Sequence, residues 1–243
     1  ILFIKIIGGI INMKKLYFMD RNILLWLSGS TLSAFGDVFT STAIPLVTFN
    51  LTKSARFSAL VLLLDILPLI ILSPLIGTIV DKCEKKKIII ISNLISVLIL
   101  GSFLIINNNE WYYLIGNSLI SISAKFYSTS AKTMLPDIVN DEGVITRVNS
   151  LISLTLKIAR ILGASLAAIV LGLWGTKILF MFDAVSFIIN MLCVFGLRLG
   201  SEQITEHQNI EKHQYVFMDA VKYFSKDNLF LIMCIVYGGL FFL

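Results

Sequence analysis

Charged residues are scarce in this sequence: they make up 14% of its 243 residues, whereas soluble domains carry about 25%. Hydrophobic residues make up 57%, and the mean hydropathy is +0.88. Such a chain has too few polar side chains to cover a globular surface and too many apolar ones to stay unfolded in water. The composition therefore excludes an intrinsically disordered protein and argues against a soluble globular domain.

Metal-binding and catalytic motifs are also missing. The three cysteines are Cys83, Cys193 and Cys234. They form no CxxC pair, so neither a disulfide framework nor a zinc site is predicted. His207 and His213 are the only histidines, and their Glu-rich surroundings are more typical of a solvated linker than of a metal site. Because HExxH, GxSxG and a phosphate-binding glycine loop are absent as well, we predict no enzyme, no metal and no cofactor.

The apolar residues are concentrated in six blocks. Because the hydrocarbon core of a bilayer is about 30 Å thick, a helix needs about 20 apolar residues to cross it. We predict six transmembrane helices, at residues 22–47, 57–80, 88–106, 111–133, 148–173 and 178–197. An open backbone finds no hydrogen-bond partners in lipid, so these segments must be helical. The sequence thus predicts an all-α membrane protein with the lipid bilayer as a partner.

Lysine and arginine are distributed unevenly between the predicted loops. If the helices alternate in direction, thirteen of the 20 basic residues lie on one side of the membrane, namely Lys14, Lys15, Arg21, Lys82, Lys85, Lys86, Lys87, Lys132, Arg147, Arg198, Lys212, Lys222 and Lys226. The other side has Lys53, Arg56 and Lys177. The positive-inside rule then predicts that the first side, which includes the N-terminus, faces the cytoplasm. Loop charge also explains the net charge of +5 without a nucleic-acid partner.

The outer interface of this predicted bundle is marked by aromatic residues. Trp111, Tyr112, Tyr113 and Trp174 all fall near the outer ends of predicted helices. Amphipathic aromatic rings are enriched at the level of the lipid headgroups. We therefore predict an aromatic belt on the side opposite to the basic loops.

The two ends of the chain are predicted to lie outside the bundle, which covers residues 13–199. Residues 1–12 are apolar but too short to span. They are a leader segment before Met13 that is not part of the native protein, a disordered N-terminus, or the remainder of a fragment. Residues 200–227 are polar and are predicted to form a cytoplasmic linker. Residues 228–243 are predicted to be the truncated start of a seventh helix.

The connection between helices 2 and 3 contains a recognisable spacing, GTIVDKCEKK, which begins at Gly77. It resembles the G-x-x-x-D-[RK]-x-G-[RK]-[RK] loop of the major facilitator superfamily. The matching residues are Gly77, Asp81, Lys82, Lys85 and Lys86. Glu84 replaces the second glycine of that pattern. A positive-inside loop would explain the lysines alone, but not the spacing from Gly77 to Asp81.

Further segments resemble one branch of this superfamily, which holds macrolide-efflux and enterobactin-exporter type proteins. They are LSAFGD at 32–37, LTKSA at 51–55, LP at 67–68, LPDIV at 135–139, NSL at 149–151, RILG at 160–163 and DAVSF at 183–187. The resemblance implies twelve helices in two six-helix halves around a central cavity. This chain would supply the N-terminal half and part of helix 7, with the missing C-terminal half as its partner. Gly163-Ala164 stands where many such exporters have Gly-Pro, so no proline kink is implied in helix 5.

Asp37 and Arg160 are charged residues well inside predicted helices 1 and 5. At about 1.5 Å per residue they lie about 16 Å and about 20 Å from the outer ends of these helices. They can therefore pair if the two helices adjoin, as the resembled fold implies. Intramembrane charges are costly and usually face a cavity or a partner. We predict that Asp37 takes up and releases the driving proton and that Arg160 tunes it; a static pair that fixes helix packing is the alternative.

Four other intramembrane charges allow more than one interpretation. Asp65 in helix 2 shares the proton pathway, binds a cationic substrate or faces water. Lys157 lies three residues before Arg160 and hence on the same face of helix 5, where both attract an anionic substrate or balance the acids. Lys125 is expected to snorkel toward the cytoplasm. Asp183 is expected to pack or to cap near the start of helix 6.

The loop at 77–86 is predicted to act as a conformational latch. Glycine permits a neighbouring helix to approach closely. Asp81 can bind a helix N-terminus or an arginine across the interface between the two halves. In the resembled family this loop stabilises one state of the transport cycle.

Together these features predict a secondary active transporter. It exports a small amphipathic organic molecule, a drug or a siderophore, by alternating access. The proton gradient supplies the energy, since no nucleotide-binding motif is present. Two alternatives stay open: a half-transporter or non-functional gene fragment, and an importer of the same fold.

Overall fold

A computed structural model describes residues 21–105, 109–139 and 141–197. In these ranges the chain forms six α-helices and no strand. They are α1 (Arg21–Thr52), α2 (Ala55–Lys82), α3 (Lys85–Ile105), α4 (Glu110–Ile138), α5 (Glu142–Trp174) and α6 (Thr176–Phe195). The segments predicted at 1–12, 200–227 and 228–243 lie outside the described residues.

The helices are longer than the apolar blocks that predicted them. The ends of α1 and α4 and the start of α5 continue well past the predicted boundaries, because polar residues extend a helix beyond the hydrocarbon layer. Asp141 caps the start of α5, where its side chain accepts hydrogen bonds from the backbone N–H groups of Gly143 and Val144 at 2.7 and 3.1 Å. The connections are correspondingly short, and Gly175 alone separates α5 from α6.

Gly175 has a backbone conformation, φ 79° and ψ −179°, that is essentially restricted to glycine. Replacing Gly175 by Ala is therefore expected to lower the free energy of unfolding by about 1–3 kcal/mol. Gly172, one turn earlier in α5, has no described atom within 4 Å of an added Cβ. Gly172→Ala is expected to keep or raise stability, because Ala favours helix. Thermal unfolding of both variants in detergent is the measurement, and equal melting temperatures would contradict the expectation.

Five of the six helices are long and apolar enough to cross a membrane. These spans are Arg21–Thr52, Ala55–Ser73, Lys85–Ile105, Gly143–Trp174 and Thr176–Phe195. The remaining helix, α4, has 29 residues but is rich in serine and is more polar than the others. The outer face of α2 exposes large apolar side chains such as Leu62, Ile70 and Ile71, as a lipid-facing helix does. The chain is thus a multi-pass, all-helical membrane protein, and the count of six spans stays a prediction.

Most of the helices that pack closely against each other are not consecutive in the chain. α1 packs against α5 and α6, α3 against α4 and α6, and α2 against α4. The adjoining of α1 and α5, which the pairing of Asp37 with Arg160 requires, is therefore present. The starts of α1, α3 and α5 meet the ends of the other helices at one end of the bundle, called here the basic end. It is marked by Arg21, Lys82, Lys85, Lys132 and Arg147.

The apolar core is divided into two clusters. The cluster toward the opposite end includes Phe39, Ile44, Leu100, Phe103, Tyr113, Phe180 and Phe187. The cluster toward the basic end includes Ile23, Trp26, Ile89, Met134, Leu135, Val148 and Val194. Between them along the helices, many of the buried side chains are polar: Ser33, Ser92, Asn93, Ser96, Ser121 and Asn190. Buried polar groups need partners, so this middle layer is where a binding site is expected.

The aromatic belt predicted at the opposite end is seen only in part. Trp111 and Trp174 are 56% and 66% exposed, as expected for rings at the membrane interface. Tyr113 is 3% exposed and instead stacks on Phe180, with ring centroids 6.2 Å apart. Its ring fills core space between α4 and α6, which the sequence pattern alone does not reveal.

Candidate functional site

A cavity of about 560 Å³ lies in the polar middle layer and extends toward the basic end. Its size is within the usual range for small-molecule sites, about 300–1,000 Å³. Its polar lining consists of Ser30, Ser33, Asp37, Asp65, Ser92, Asn93, Ser96, Ser121, Ser123, Lys125, Tyr127, Ser128, Lys132, Asn149 and Ser153. From the opposite-end cluster, Phe187 alone among the described residues reaches it. Phe187 thus marks the border between the cavity and the opposite-end cluster.

Asp37 and Asp65, two of the predicted pathway residues, line this same cavity. Asp37 comes from the middle of α1 and is exposed, so its carboxyl group is accessible. Asp65 comes from α2 and is half-buried, and it accepts a hydrogen bond from the hydroxyl of Ser121 on α4. The structure therefore brings together two acids that are 28 residues apart in the chain.

Two cations, Lys125 and Lys132, share the cavity with these acids. Lys125, which was expected to snorkel toward the cytoplasm, is half-buried and lines the cavity instead. The signal that could have identified it is helical spacing: Ser121, Lys125, Ser128 and Lys132 recur every three or four residues, which places them on one face of α4. The cavity therefore carries both signs of charge.

Lys157 and Arg160, the other two predicted pathway residues, are exposed on α5. Lys157 lines a shallow depression formed by α5 alone, together with Asn149 and Ser153, which also line the main cavity. Arg160 lines neither space, and no ion pair joins it to Asp37 within residues 21–197 as described. The four residues thus do not form one cluster: the acids lie in the cavity, and Lys157 lies beside it.

Asp183 is fully buried and has a structural position two turns inside α6. It accepts hydrogen bonds from the hydroxyls of Thr40 on α1 and Ser186 on α6. Gly36 of α1 faces it so closely that an added Cβ would overlap the side chains of Asp183 and Ser186. Of the two expected roles, packing describes this residue, because it is too far from the helix start to act as a cap.

Lys85 and Lys86, at the start of α3, bind the ends of two neighbouring helices. The Lys85 Nζ donates to Asp137 Oδ2 at 2.9 Å and to the Thr133 carbonyl at 3.0 Å, both on α4. The Lys86 Nζ donates to the carbonyls of Phe195 and Leu197, at 3.1 and 2.9 Å, at the end of α6. The last carbonyls of a helix attract cations, so these contacts hold three helix ends together at the basic end.

The other residues of the predicted latch, Gly77, Asp81 and Lys82, lie in the last turns of α2. Asp81 and Lys82 are exposed. No described atom lies within 4 Å of a Cβ added to Gly77, so the close helix approach expected there is absent from the described bundle. The loop thus has two parts: lysines that are bound within this bundle, and an exposed Gly77–Asp81–Lys82 surface.

Within the described residues, no group of three or more His, Cys, Asp or Glu side chains could hold a metal ion. His207 and His213 lie outside those residues.

Comparison with known proteins gives one family match. The family model for the Major Facilitator Superfamily matches residues 26–243. No curated protein matches the chain.

Proposed function

Since the chain belongs to the Major Facilitator Superfamily, whose members are secondary transporters, we propose that it exports small amphipathic organic molecules in exchange for protons. In this proposal residues 13–199 form one six-helix half of a twelve-helix transporter. The observation that carries the proposal is the cavity in the middle layer, where Asp37 and Asp65 are accessible from a space large enough for a drug-sized ligand.

Asp37 is the proposed proton carrier. A carboxyl group that alternates between dry and wet surroundings can bind and release a proton. The position of Asp37 fits this role because its carboxyl group borders a cavity, whereas nearby Asp183 is bound by Thr40 and Ser186. Arg160 is proposed to tune Asp37 through its charge at a distance, since no ion pair joins them in the described residues.

The lining of the cavity supports an amphipathic substrate. Beside its serines and charged groups, the cavity exposes apolar side chains, namely Trp26, Leu69, Leu135, Ile152 and Leu156. Such a mixed lining binds a molecule with both an apolar body and polar substituents. A drug or siderophore of the macrolide-efflux or enterobactin-exporter type has this character. Asp65 and Lys157 are the groups proposed to contact charged substituents of such a substrate.

The charge distribution supports an inner-membrane protein of bacteria with the basic end in the cytoplasm. The cavity extends toward that end, and on the other side Phe187 of the opposite-end cluster borders it. A substrate would then enter from the cytoplasm, which favours export. An importer would use the same opening for release, so transport direction has to be measured.

Transport into proteoliposomes tests the proposal. Ethidium is a suitable probe because its permanent charge prevents passive accumulation in response to a pH gradient. An exporter that exchanges substrate for protons accumulates ethidium when the lumen is acidic, and a protonophore abolishes this. Accumulation only when the outside is acidic would instead identify a proton-coupled importer. No difference from protein-free liposomes with ethidium or with a macrolide would contradict the proposal.

Asp81 is expected to control the rate of the transport cycle rather than substrate binding. Asp81→Asn removes the charge that the latch needs for a helix N-terminus or an arginine, while the cavity lies elsewhere. We expect transport to slow about tenfold or more, which corresponds to about 1.4 kcal/mol, and substrate affinity to stay within about twofold. The exposed Glu84, whose carboxylate binds Lys87 at 2.9 Å, supplies the control variant Glu84→Gln, expected to transport normally. Equal losses of rate and affinity in Asp81→Asn would count against a latch.

A further inference from the structure

The inner wall of the cavity contains polar atoms that have no partner. Trp26 on α1 and Asn93 on α3 both line the cavity and are 2% and 1% exposed. The indole Nε1 of Trp26 and both side-chain polar atoms of Asn93, Nδ2 and Oδ1, lack a hydrogen bond within the described part of the chain. Two other polar contacts on the lining are formed within the chain: Ser121 donates to Asp65, and the Ser30 and Tyr127 hydroxyls are 3.4 Å apart.

Unpaired buried polar groups are costly. A buried donor or acceptor without a partner costs about 1–3 kcal/mol, so nearly all such groups in native proteins are paired. Three unpaired atoms on two residues that line the cavity therefore indicate a ligand that supplies the partners once these buried side chains turn toward it. Asn93 needs an acceptor for its N–H₂ group and a donor for its oxygen, and Trp26 needs an acceptor.

We propose that Trp26 and Asn93 form a subsite that binds a neutral carboxamide-like group of the transported molecule. This inference rests on the proposed function, because it assigns part of the substrate to part of the cavity. A carboxamide has a donor beside an acceptor and so satisfies both polar atoms of Asn93 at once. A carboxylate or an ammonium group would satisfy one atom and leave the other unpaired. The charged groups of the cavity, Asp37, Asp65 and Lys125, remain available for other substituents.

The surroundings of the subsite favour an apolar body attached to this group. Trp26 belongs to the basic-end cluster with Ile89 and Leu135, and Leu135 also lines the cavity. An aromatic amide would place its ring on this apolar surface and its amide on Asn93. Benzamide is therefore a suitable probe. Acetophenone has the same ring and carbonyl acceptor but no N–H donor, which makes it a matched control ligand.

Tryptophan fluorescence can report binding at this subsite. The chain has three tryptophans, and Trp111 and Trp174 are exposed and do not line the cavity. Replacing these two by Phe leaves Trp26 as the single emitter. The titration uses the full chain in lipid nanodiscs, and we expect benzamide to change the emission of Trp26 saturably. Benzamide should bind about tenfold more tightly than acetophenone, because it forms one more hydrogen bond, worth about 1.4 kcal/mol. Equal affinity for the two probes, or no saturable change with benzamide, would overturn the subsite.

A pair of variants on α3 supplies the second test. Asn93→Leu keeps the side-chain volume and removes both polar atoms. Benzamide then loses two hydrogen bonds and should bind about a hundredfold more weakly, whereas acetophenone loses only the bond to its carbonyl and should bind about tenfold more weakly. Ser102→Ala, on the same helix but outside the cavity, removes a hydroxyl that donates to the Ile99 carbonyl, and it should leave the binding of both probes within about twofold. Benzamide binding that survives Asn93→Leu would show that the unpaired atoms bind only water. If this variant does not fold, the comparison of the two probes on the parent protein still decides.

Binding and transport separate this inference from the proposed function. The fluorescence titration uses no pH gradient, so a protein that binds benzamide selectively but accumulates no ethidium supports the subsite and contradicts proton-coupled export. A protein that accumulates ethidium but does not distinguish benzamide from acetophenone supports export and overturns the subsite.

Discussion

Asp37→Asn is expected to abolish pH-driven transport while leaving substrate exchange intact. Asn has nearly the size of Asp and keeps a polar group at the cavity wall, but it cannot bind and release a proton. Coupling between two ligands at about 1–3 kcal/mol corresponds to about 5- to 150-fold, so accumulation driven by an acidic lumen should fall by at least about fivefold. Exchange of labelled for unlabelled substrate at equal pH on both sides needs no proton transfer and should continue.

Matched variants distinguish this role from a structural one. Asp37→Glu keeps the carboxyl group and should retain pH-driven accumulation. If Asp37 instead formed a static pair with Arg160, then Asp37→Asn and Arg160→Gln should lower the melting temperature by similar amounts and impair exchange as well. Normal pH-driven transport by Asp37→Asn would refute the proton role.

The same two assays decide between the interpretations of Asp65. Asp65→Asn should lose pH-driven accumulation but keep exchange if Asp65 shares the proton pathway. It should lose affinity for a cationic probe but not for a neutral one if Asp65 binds cationic substrates. A third outcome is that Asp65→Asn affects neither assay. Asp65 would then have only a packing role, through the hydrogen bond that it accepts from Ser121 at the cavity.

Gly36→Val is expected to have the largest effect on stability. A Cβ at this position would overlap side-chain atoms of Asp183 and Ser186 and would lie 3.0 Å from the Asp183 Cα. A backbone atom cannot give way unless α6 moves, and that movement would also strain the hydrogen bond from Thr40 to Asp183. Overpacking typically costs about 1–3 kcal/mol, and the damaged hydrogen-bond network adds to this. Fluorescence-detected thermal unfolding in detergent should show a clearly lower melting temperature.

Two further glycine variants provide the comparison. Gly101→Val, in α3, has no described atom within 4 Å of an added Cβ and should cost little beyond helix propensity. Gly29 faces α6 two turns from Gly36, but its nearest neighbour is the side-chain oxygen of Asn190 at 2.8 Å, which can rotate away. Gly29→Ala should therefore have an intermediate effect. A melting temperature for Gly36→Val equal to that of Gly101→Val would show that α1 and α6 do not pack as described.

The sequence predicted those parts of the fold that depend only on whether a segment is surrounded by lipid or by water. A block such as residues 88–106 can satisfy its backbone in lipid only as a helix, and α3 is found there as Lys85–Ile105. Helix ends were less accurate, because Glu142, Thr146 and Arg147 are polar yet belong to α5, which begins before the apolar block. The two acids that line the cavity also stood out in the sequence, since a charge inside an apolar block is unusual, and their role in transport stays a prediction.

The partners of each residue depended on the packing of helices that are distant in the chain. Lys125 was expected to snorkel toward the cytoplasm and lines the cavity, because the side of α4 that faces inward is set by α2 and α3. Lys85 and Lys86 were assigned to a latch and also bind helix ends in the same bundle. Asn93 carried no signal at all, because an asparagine inside a span becomes informative only when its hydrogen-bond partners can be examined.

By itself, the sequence determined that this is an all-helical membrane protein, where its helices lie and which end of the bundle is basic. These properties follow from the contrast between water and hydrocarbon, which acts on each segment independently. Only the tertiary structure decided that α1 packs on α5 and α6, that Asp37 and Asp65 share a cavity, and that Asp183 is a packing group. Those facts depend on which side chains fit together between helices, and no property of a single segment contains that information.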